Sequence, residues 1–192
     1  MAVAVPRVRH WTREDYQKMA EAGVFAPGER VELIEGEIVE MTPQNRPHAV
    51  AVAVADEVLR PVFGASFHVR PQLPLALGPD SELEPDVAVV RGVAREYLGD
   101  HPTTAVLVLE ISDTTLDFDR GRKGPLYSRA RIPEYWILNL VDRVLEVYRD
   151  PGEVPGRPFQ YHYGSVRRFG PHESVSPLAA PGRQIRVADL LP

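Results

Sequence analysis

The chain has 192 residues, a formal net charge of −5 and no cysteine. This length suits one domain with a substantial core, and a content of 44% apolar and 26% charged residues is that of a folded globular protein rather than a disordered one. The acidic balance argues against coating of nucleic acid by bulk electrostatics, and the missing cysteines exclude disulfides and thiolate metal sites, so any metal would have oxygen or imidazole ligands.

The N-terminal part of the chain predicts a helix, a hairpin, a second helix and an extended edge strand. The signals are a capping box at residues 12–15, a tight Glu35-Gly36 turn, an i, i+4 stripe of Val and Ala, and two prolines in the last segment. The expected ranges are 12–23 for the first helix, 31–34 and 37–41 for the hairpin, 48–63 for the second helix and 67–77 for the edge strand.

The rest of the chain predicts strands around one further helix. Two continuous aliphatic runs bounded by charge predict buried strands, and the segment after them looks helical despite Gly124-Pro125. Beyond Asp150 the chain is rich in proline and glycine, with weak strand signals. The expected ranges are 86–90 and 105–112 for the buried strands, 117–131 for the helix, 135–140 and 144–148 for a hairpin, and 159–163 and 185–187 for the weak strands. We expect one domain, with a core at about residues 12–150 and a β-rich appendage at 151–192.

Carboxylates adjoin both buried strands. Asp86 begins one and Glu110 closes the other, although acids are disfavoured in strands and almost never buried without a partner. Two carboxylates about 4 Å apart repel by about 4 kcal/mol at an effective dielectric of about 20. A divalent cation bound between them attracts both and makes the electrostatic energy of the arrangement favourable. If the two strands are neighbours, the acids meet at one end of the sheet and suit Mg²⁺, which takes oxygen ligands from few protein groups and completes its shell with water and phosphate.

Four short motifs resemble the Uma-two family of bacterial endonucleases, a branch of the restriction-endonuclease-like PD-(D/E)xK superfamily: Glu84-Pro85-Asp86, Glu110-Ile111-Ser112, Lys123 with Tyr127, and Pro133-Glu134-Tyr135-Trp136. The resemblance spans roughly residues 31–148. It implies a restriction-endonuclease-like α/β core with a mixed central β-sheet flanked by helices, in which Asp86 and Glu110 bind Mg²⁺ or Mn²⁺ and a lysine assists the attacking water. It also makes Glu32 a candidate for an additional acid of the metal shell, although a strand acid is more often simply solvated.

Lys123 is the expected lysine of this site. The superfamily motif has lysine two positions after the second acid, where this chain has Ser112, so the lysine has moved to the following helix. Lys123 is one of only two lysines beside 20 arginines, and the two residue types are not chemically equivalent. Pro125 removes a backbone hydrogen bond from that helix unless it lies in the first turn.

These residues predict a metal-dependent DNA endonuclease. Phosphodiester hydrolysis needs a metal to neutralise the phosphate and a group that positions or deprotonates water, and Asp86, Glu110 and Lys123 fit those roles. A homodimer is plausible by analogy, because cutting both strands needs two sites. Two alternatives stay open: a non-catalytic nucleic-acid-binding or assembly protein with the same fold, and a metal-dependent hydrolase of another phosphoester.

Weaker candidates surround this site. The basic cluster formed by Arg120, Arg122, Arg129 and Arg131 could track a phosphate backbone, although a charged helix face is the usual explanation of such a run. Gln72 is a minor candidate for orienting water and is more simply structural.

Other chemistries and a membrane location find no support in the sequence. The six histidines lack zinc-site spacing, Ser112 lacks a nucleophile elbow, and no glycine loop could cradle a nucleotide phosphate. The longest apolar runs are too short to span a bilayer, and the first six residues do not resemble a signal peptide. We therefore expect a soluble cytoplasmic protein.

Overall fold

The computed structural model describes residues 7–156 and 159–192. The α-helices in this part of the chain are α1 (Arg13–Glu21), α2 (Arg46–Phe63), α3 (Leu116–Phe118) and α4 (Gly124–Arg129). The strands are β1 (Val31–Ile34), β2 (Glu37–Glu40), β3 (Phe67–Pro71), β4 (Leu75–Ala76), β5 (Glu82–Leu83), β6 (Val87–Arg91), β7 (Leu107–Ser112), β8 (Glu134–Asn139), β9 (Val144–Glu153), β10 (Tyr161–Phe169), β11 (Ser174–Val175) and β12 (Ile185–Arg186). No helix within the described ranges is both long and apolar enough to cross a membrane.

A six-stranded mixed sheet forms the centre of the fold, in the order β10-β9-β8-β7-β6-β3. Strands β7 and β8 are parallel, and the other neighbours are antiparallel. One face packs against the buried side of α2, and the other packs against α4. Because both faces are covered, the central strands are almost continuously apolar, and every residue of β7 and β8 is buried. The predicted α/β fold with a mixed sheet flanked by helices is confirmed.

A smaller four-stranded sheet, in the order β2-β1-β5-β4, contains the predicted hairpin. Its turn residues, Glu35 and Gly36, have φ angles of 53° and 80°, the left-handed pair that a two-residue hairpin turn needs. The sheet matters for the site because β1 contains Glu32, which is buried, as are the two residues that follow it in the strand.

The segment predicted as one edge strand, residues 67–77, is divided between the two sheets. β3 is at the edge of the large sheet, as the prolines predicted, and β4 belongs to the small sheet. Gln72 lies between them with a φ angle of 50°, so the chain turns sharply at this residue. The edge position was therefore predicted correctly, but the break within the segment was not.

Residues 151–192 are β-rich, as predicted, and are also integrated into the main sheet. β9 continues to Glu153, and β10 pairs along it for most of its length, so the chain after residue 150 supplies the outer strand of the central sheet. Side chains of the C-terminal segment also join the hydrophobic core beneath α2, among them Phe169, Ile185 and Leu190.

The helical segment before β8 contains a π-helical turn, Asp119–Lys123, between α3 and α4. The N–H of Gly124 donates to the carbonyl of Asp119, five residues earlier, and Pro125 lies in the first turn of α4. A proline in a first turn removes no helical hydrogen bond. The predicted helix therefore tolerates Pro125 because a change of helical pitch comes just before it.

Candidate active site

The two strand acids lie next to each other. Val87 pairs with Leu109 across β6 and β7, and one step further along the antiparallel register Asp86 lies opposite Glu110. The N–H of Asp86 donates to Glu110 Oε2 at 3.3 Å, and the N–H of Ile111 donates to Asp86 Oδ2 at 2.8 Å. Both acids are buried. The structure thus brings together the pair that the sequence singled out.

Lys123 points at this pair from the π-helical turn. Its Nζ donates to Glu110 Oε1 at 3.0 Å and to Glu32 Oε1 at 3.4 Å. Tyr127 follows four residues later, on the same helical face, and its hydroxyl donates to Glu110 Oε1 at 2.6 Å. Lys123 is 2% exposed and Tyr127 is fully buried, so water contributes little to these contacts. Pro125 does not displace Lys123 from the site.

Glu32 reaches the same cluster from the small sheet. Its Oε1 accepts from Lys123 and from the N–H of Glu84, the latter at 3.2 Å. Its Oε2 is buried and finds no hydrogen-bond partner among the described residues. A buried carboxylate oxygen without a donor is costly, so this atom calls for a cation or an ordered water.

A cavity of about 160 Å³ opens between these groups. Its lining includes the acids Glu32, Asp86, Glu110 and Asp119 together with His48. The volume suffices for an ion with attached waters. Acids outnumber the basic groups here, which are Arg30 in the lining and the Lys123 ammonium beside it, so the cavity favours a cation.

Burial controls the protonation of this cluster. It raises the pKa of Glu110, and the Lys123 ammonium offsets part of that rise. It also raises the pKa of Asp119 and of Glu84. Burial alone would lower the pKa of Lys123, but the carboxylates of Glu110 and Glu32 outweigh it and the net shift is upward. Lys123 is therefore a persistent cation and a poor proton acceptor in this state.

Two residues of the cavity were missed from the sequence. His48 Nε2 lies 2.8 Å from Asp86 Oδ1, a contact that the absence of zinc-site spacing among the histidines did not indicate. Asp119 accepts from the Thr115 hydroxyl at 2.7 Å and is 3% exposed. The spacing of Asp119 four residues before Lys123, on the same helical segment, is the signal that could have indicated it.

The basic cluster of the helical segment is occupied by contacts within the chain. Each of its arginines has a partner: Arg120 pairs with Glu146, Arg122 with Glu37, Arg129 with Glu35, and Arg131 donates to the carbonyl of Pro151. This arrangement favours the charged helix face over a free phosphate-binding surface. Gln72 lies beside Asp86, and its backbone N–H donates to the Asp86 carbonyl at 3.1 Å.

The oxygen ligands of the cavity suit a hard divalent ion. Among residues 7–156 and 159–192, no group of three or more acidic or histidine side chains is arranged as a ready-made metal cage. Asp86 and Glu110 instead offer two adjacent carboxylates, and the unpartnered Glu32 Oε2 lines the same cavity. A pair of carboxylates completed by water and phosphate oxygens is typical of Mg²⁺. The roles of these residues as metal ligands and catalytic groups stay predictions.

The fold defines an α/β protein with a mixed central sheet, and a buried acid–lysine cluster lies beside that sheet. The fold is similar to the crystal structure of a putative nuclease belonging to DUF820 from Anabaena variabilis, with a TM-score of 0.69 and 18% sequence identity over 93% of this chain and 96% of that chain. Residues 13–188 match the Uma2 family model, which is described as a putative restriction endonuclease. The chain belongs to the Uma2 family, and the resemblance drawn from its motifs is confirmed. No curated protein matches the chain.

Proposed function

We propose that the protein is a metal-dependent endonuclease that hydrolyses phosphodiester bonds of DNA. The observation that carries the proposal is a buried cluster in which Asp86, Glu110 and Glu32 line one cavity and Lys123 donates to Glu110 and Glu32. Membership of the Uma2 family supports the nuclease class. The carboxylates of the cavity support a divalent cation as the cofactor. The resemblance of the motifs to bacterial endonucleases supports DNA as the substrate.

Asp86 and Glu110 are the residues that would hold Mg²⁺ or Mn²⁺, with Glu32 as a further oxygen ligand. When bound, such an ion neutralises phosphate charge and lowers the pKa of water. The hydrogen bonds from Ile111 and Asp86 backbone N–H groups fix both carboxylates, so little reorganisation would accompany binding.

Lys123 would act as a fixed positive charge. Because the carboxylates hold its pKa above the ordinary value, its ammonium stays protonated and can stabilise charge developing on the phosphate. Such an interaction accelerates the reaction when it is stronger in the transition state than in the ground state. Tyr127 would hold Glu110 in place through its hydroxyl.

The test is cleavage of plasmid DNA with Mg²⁺ or Mn²⁺, compared with EDTA. Wild type should nick or linearise the plasmid only with metal, and Asp86→Ala should abolish both metal binding and cleavage. Lys123→Ala should lower the rate by about 10²-fold, the scale of losing one electrostatic donor. Glu57→Gln, at an exposed acid on α2, is the control and should cleave like wild type. Metal-independent cleavage, or equal cleavage by all variants, would contradict the proposal.

The second candidate is a non-catalytic nucleic-acid-binding or assembly protein. It is favoured by one observation, that the Glu110 carboxylate already accepts from the Asp86 N–H and from Lys123 within the chain. If wild type binds Mn²⁺ and retards DNA in a gel but cleaves no DNA or RNA, this candidate takes the lead. Cleavage of a small phosphoester without cleavage of nucleic acid would instead indicate a hydrolase of another substrate.

The assembly that we propose is a homodimer, because one site cuts one strand and cleavage of both strands requires two. Sedimentation velocity with and without DNA tests it. A species with the 21.4 kDa mass of one chain under both conditions would contradict the dimer without affecting the chemistry proposed for the site.

A further inference from the structure

His48 contacts one of the two strand acids directly. Its Nε2 lies 2.8 Å from Asp86 Oδ1, and the two side chains are 13% and 8% exposed. The Gln44 amide reaches the same oxygen at 3.4 Å, while Ile111 N–H holds Oδ2. Oδ1 of Asp86 thus contacts two donors and Oδ2 one, and because a carboxylate oxygen has two acceptor sites, the second site of Oδ2 has no donor among the described residues.

The backbone of His48 is fixed by the long helix α2. Asn45 caps that helix and accepts from the His48 N–H at 3.0 Å, while the Asn45 amide donates to Asp113, just beyond β7. Farther along the same face, α2 is buried against the central sheet through residues such as Ala51, Ala55 and Leu59. A displacement of the His48 backbone would therefore require movement of an 18-residue helix. Side chains supported in this way keep their geometry better than those on loops.

We propose that His48 is a positioning residue that orients the Asp86 carboxylate for binding a divalent cation. The inference rests on the metal-dependent function proposed above. A carboxylate only accepts hydrogen bonds, so the imidazole donates from Nε2. Ligating carboxylates are commonly held by such outer hydrogen bonds, and losing one typically weakens metal affinity by about 10- to 100-fold.

The test is the affinity for Mn²⁺ alone, measured by titration calorimetry on wild type, His48→Leu and His48→Gln. Leucine fills similar space without a donor and should raise Kd by about 10- to 100-fold. Glutamine can place an amide N–H near the position of the imidazole Nε2 and should recover most of the affinity. His172→Ala, at an exposed histidine of the C-terminal segment, should bind like wild type.

The unfolding transition in urea with EDTA separates orientation from general stability. A purely structural role predicts that His48→Leu lowers stability while its Kd for Mn²⁺ stays that of wild type. This result would overturn the inference about His48 and leave the proposed function standing. Equal impairment of His48→Leu and His48→Gln would also overturn it, because the donor would then be irrelevant. If wild type itself binds no Mn²⁺, the proposed function fails and the inference fails with it. If His48→Leu does not fold, His48→Gln and His48→Asn are compared instead, because the shorter asparagine side chain falls short of Asp86. The inference requires a lower Kd for Mn²⁺ in His48→Gln than in His48→Asn, and equal values would overturn it.

Discussion

Replacing Lys123 by methionine would test the charge balance of the cavity. Methionine keeps an unbranched apolar side chain but removes the ammonium that lies 3.0 Å from Glu110 and 3.4 Å from Glu32. All three side chains are at most 3% exposed, so bulk water screens the remaining carboxylates only weakly. At an effective dielectric of about 20, the attraction across 3.0 Å is about 5.5 kcal/mol, and removing one partner of a buried pair typically costs about 3–5 kcal/mol of stability.

Protonation of Glu110 makes that cost depend on pH. A glutamate has an ordinary pKa of 4.5, so holding one neutral at pH 7 costs about 3.4 kcal/mol, since each pH unit above the pKa is about 1.36 kcal/mol. Burial already raises the pKa of Glu110, and losing Lys123 raises it further. The folded variant then binds more protons than the unfolded chain above about pH 4.5, so its stability falls as pH rises. In wild type the pKa of Glu110 is raised to about 8, so both proteins keep this carboxyl largely neutral at pH 7. We expect the gap to widen from pH 7 to pH 9, where wild type ionises Glu110 beside Lys123 and the variant does not.

Urea unfolding at pH 7, 8 and 9 in EDTA measures this gap. Lys18→Met is the matched control, because Lys18 is the other lysine of the chain and forms an exposed i, i+4 pair with Glu14. It should show no pH-dependent gap of this kind. If Lys123→Met loses the same stability at every pH, or loses none, the charge-balance reasoning is refuted.

Three further predictions follow from contacts of the site and its surroundings. Tyr127→Phe removes the hydroxyl that donates to Glu110 at 2.6 Å and should cost about 1.5–3 kcal/mol in urea unfolding, whereas an unchanged midpoint would show the bond to be dispensable. The pKa of Glu110 is raised, so this carboxyl loses its proton as pH rises toward 8, and Mn²⁺ should therefore increase Tm more at pH 8 than at pH 6. Glu110→Gln should lose this pH dependence. A pH-independent increase in wild type would exclude Glu110 as the titrating ligand. Arg122→Ala should leave the salt dependence of DNA binding unchanged, since Arg122 is paired with Glu37, whereas a slope lower by about one would identify a phosphate contact.

Much of the fold could be predicted because its signals are local. The capping box at Thr12 forms as expected, with both of its hydrogen bonds present, and the hairpin over Asp142-Arg143 turns through a left-handed Arg143. β10 was underestimated because its residues are largely half-buried or exposed and include Gly164, which leaves little apolar periodicity. What defines that strand is the long edge of β9, and pairing with a distant strand leaves no mark within a short window of sequence.

The site was predictable where residues broke a local rule. Asp86 and Glu110 stood out because carboxylates rarely adjoin buried apolar strands, and Lys123 stood out against the preference for arginine. His48 breaks no such rule, since a histidine in the first turn of a helix is unexceptional, and its contact with Asp86 depends on how α2 docks on the sheet. The same limit applies to Arg122, whose partner Glu37 comes from the separate small sheet.

The division of the cluster between two sheets also determines when it can form during synthesis. Glu32 and Lys123 are 91 residues apart in sequence and meet only after the small sheet has docked beside the central one. A nascent chain that has emerged only as far as β7 contains all three acids but not the ammonium that balances them, so mutual repulsion opposes their early assembly. The complete arrangement thus belongs only to the finished fold, and a partly synthesised or partly unfolded chain does not contain it.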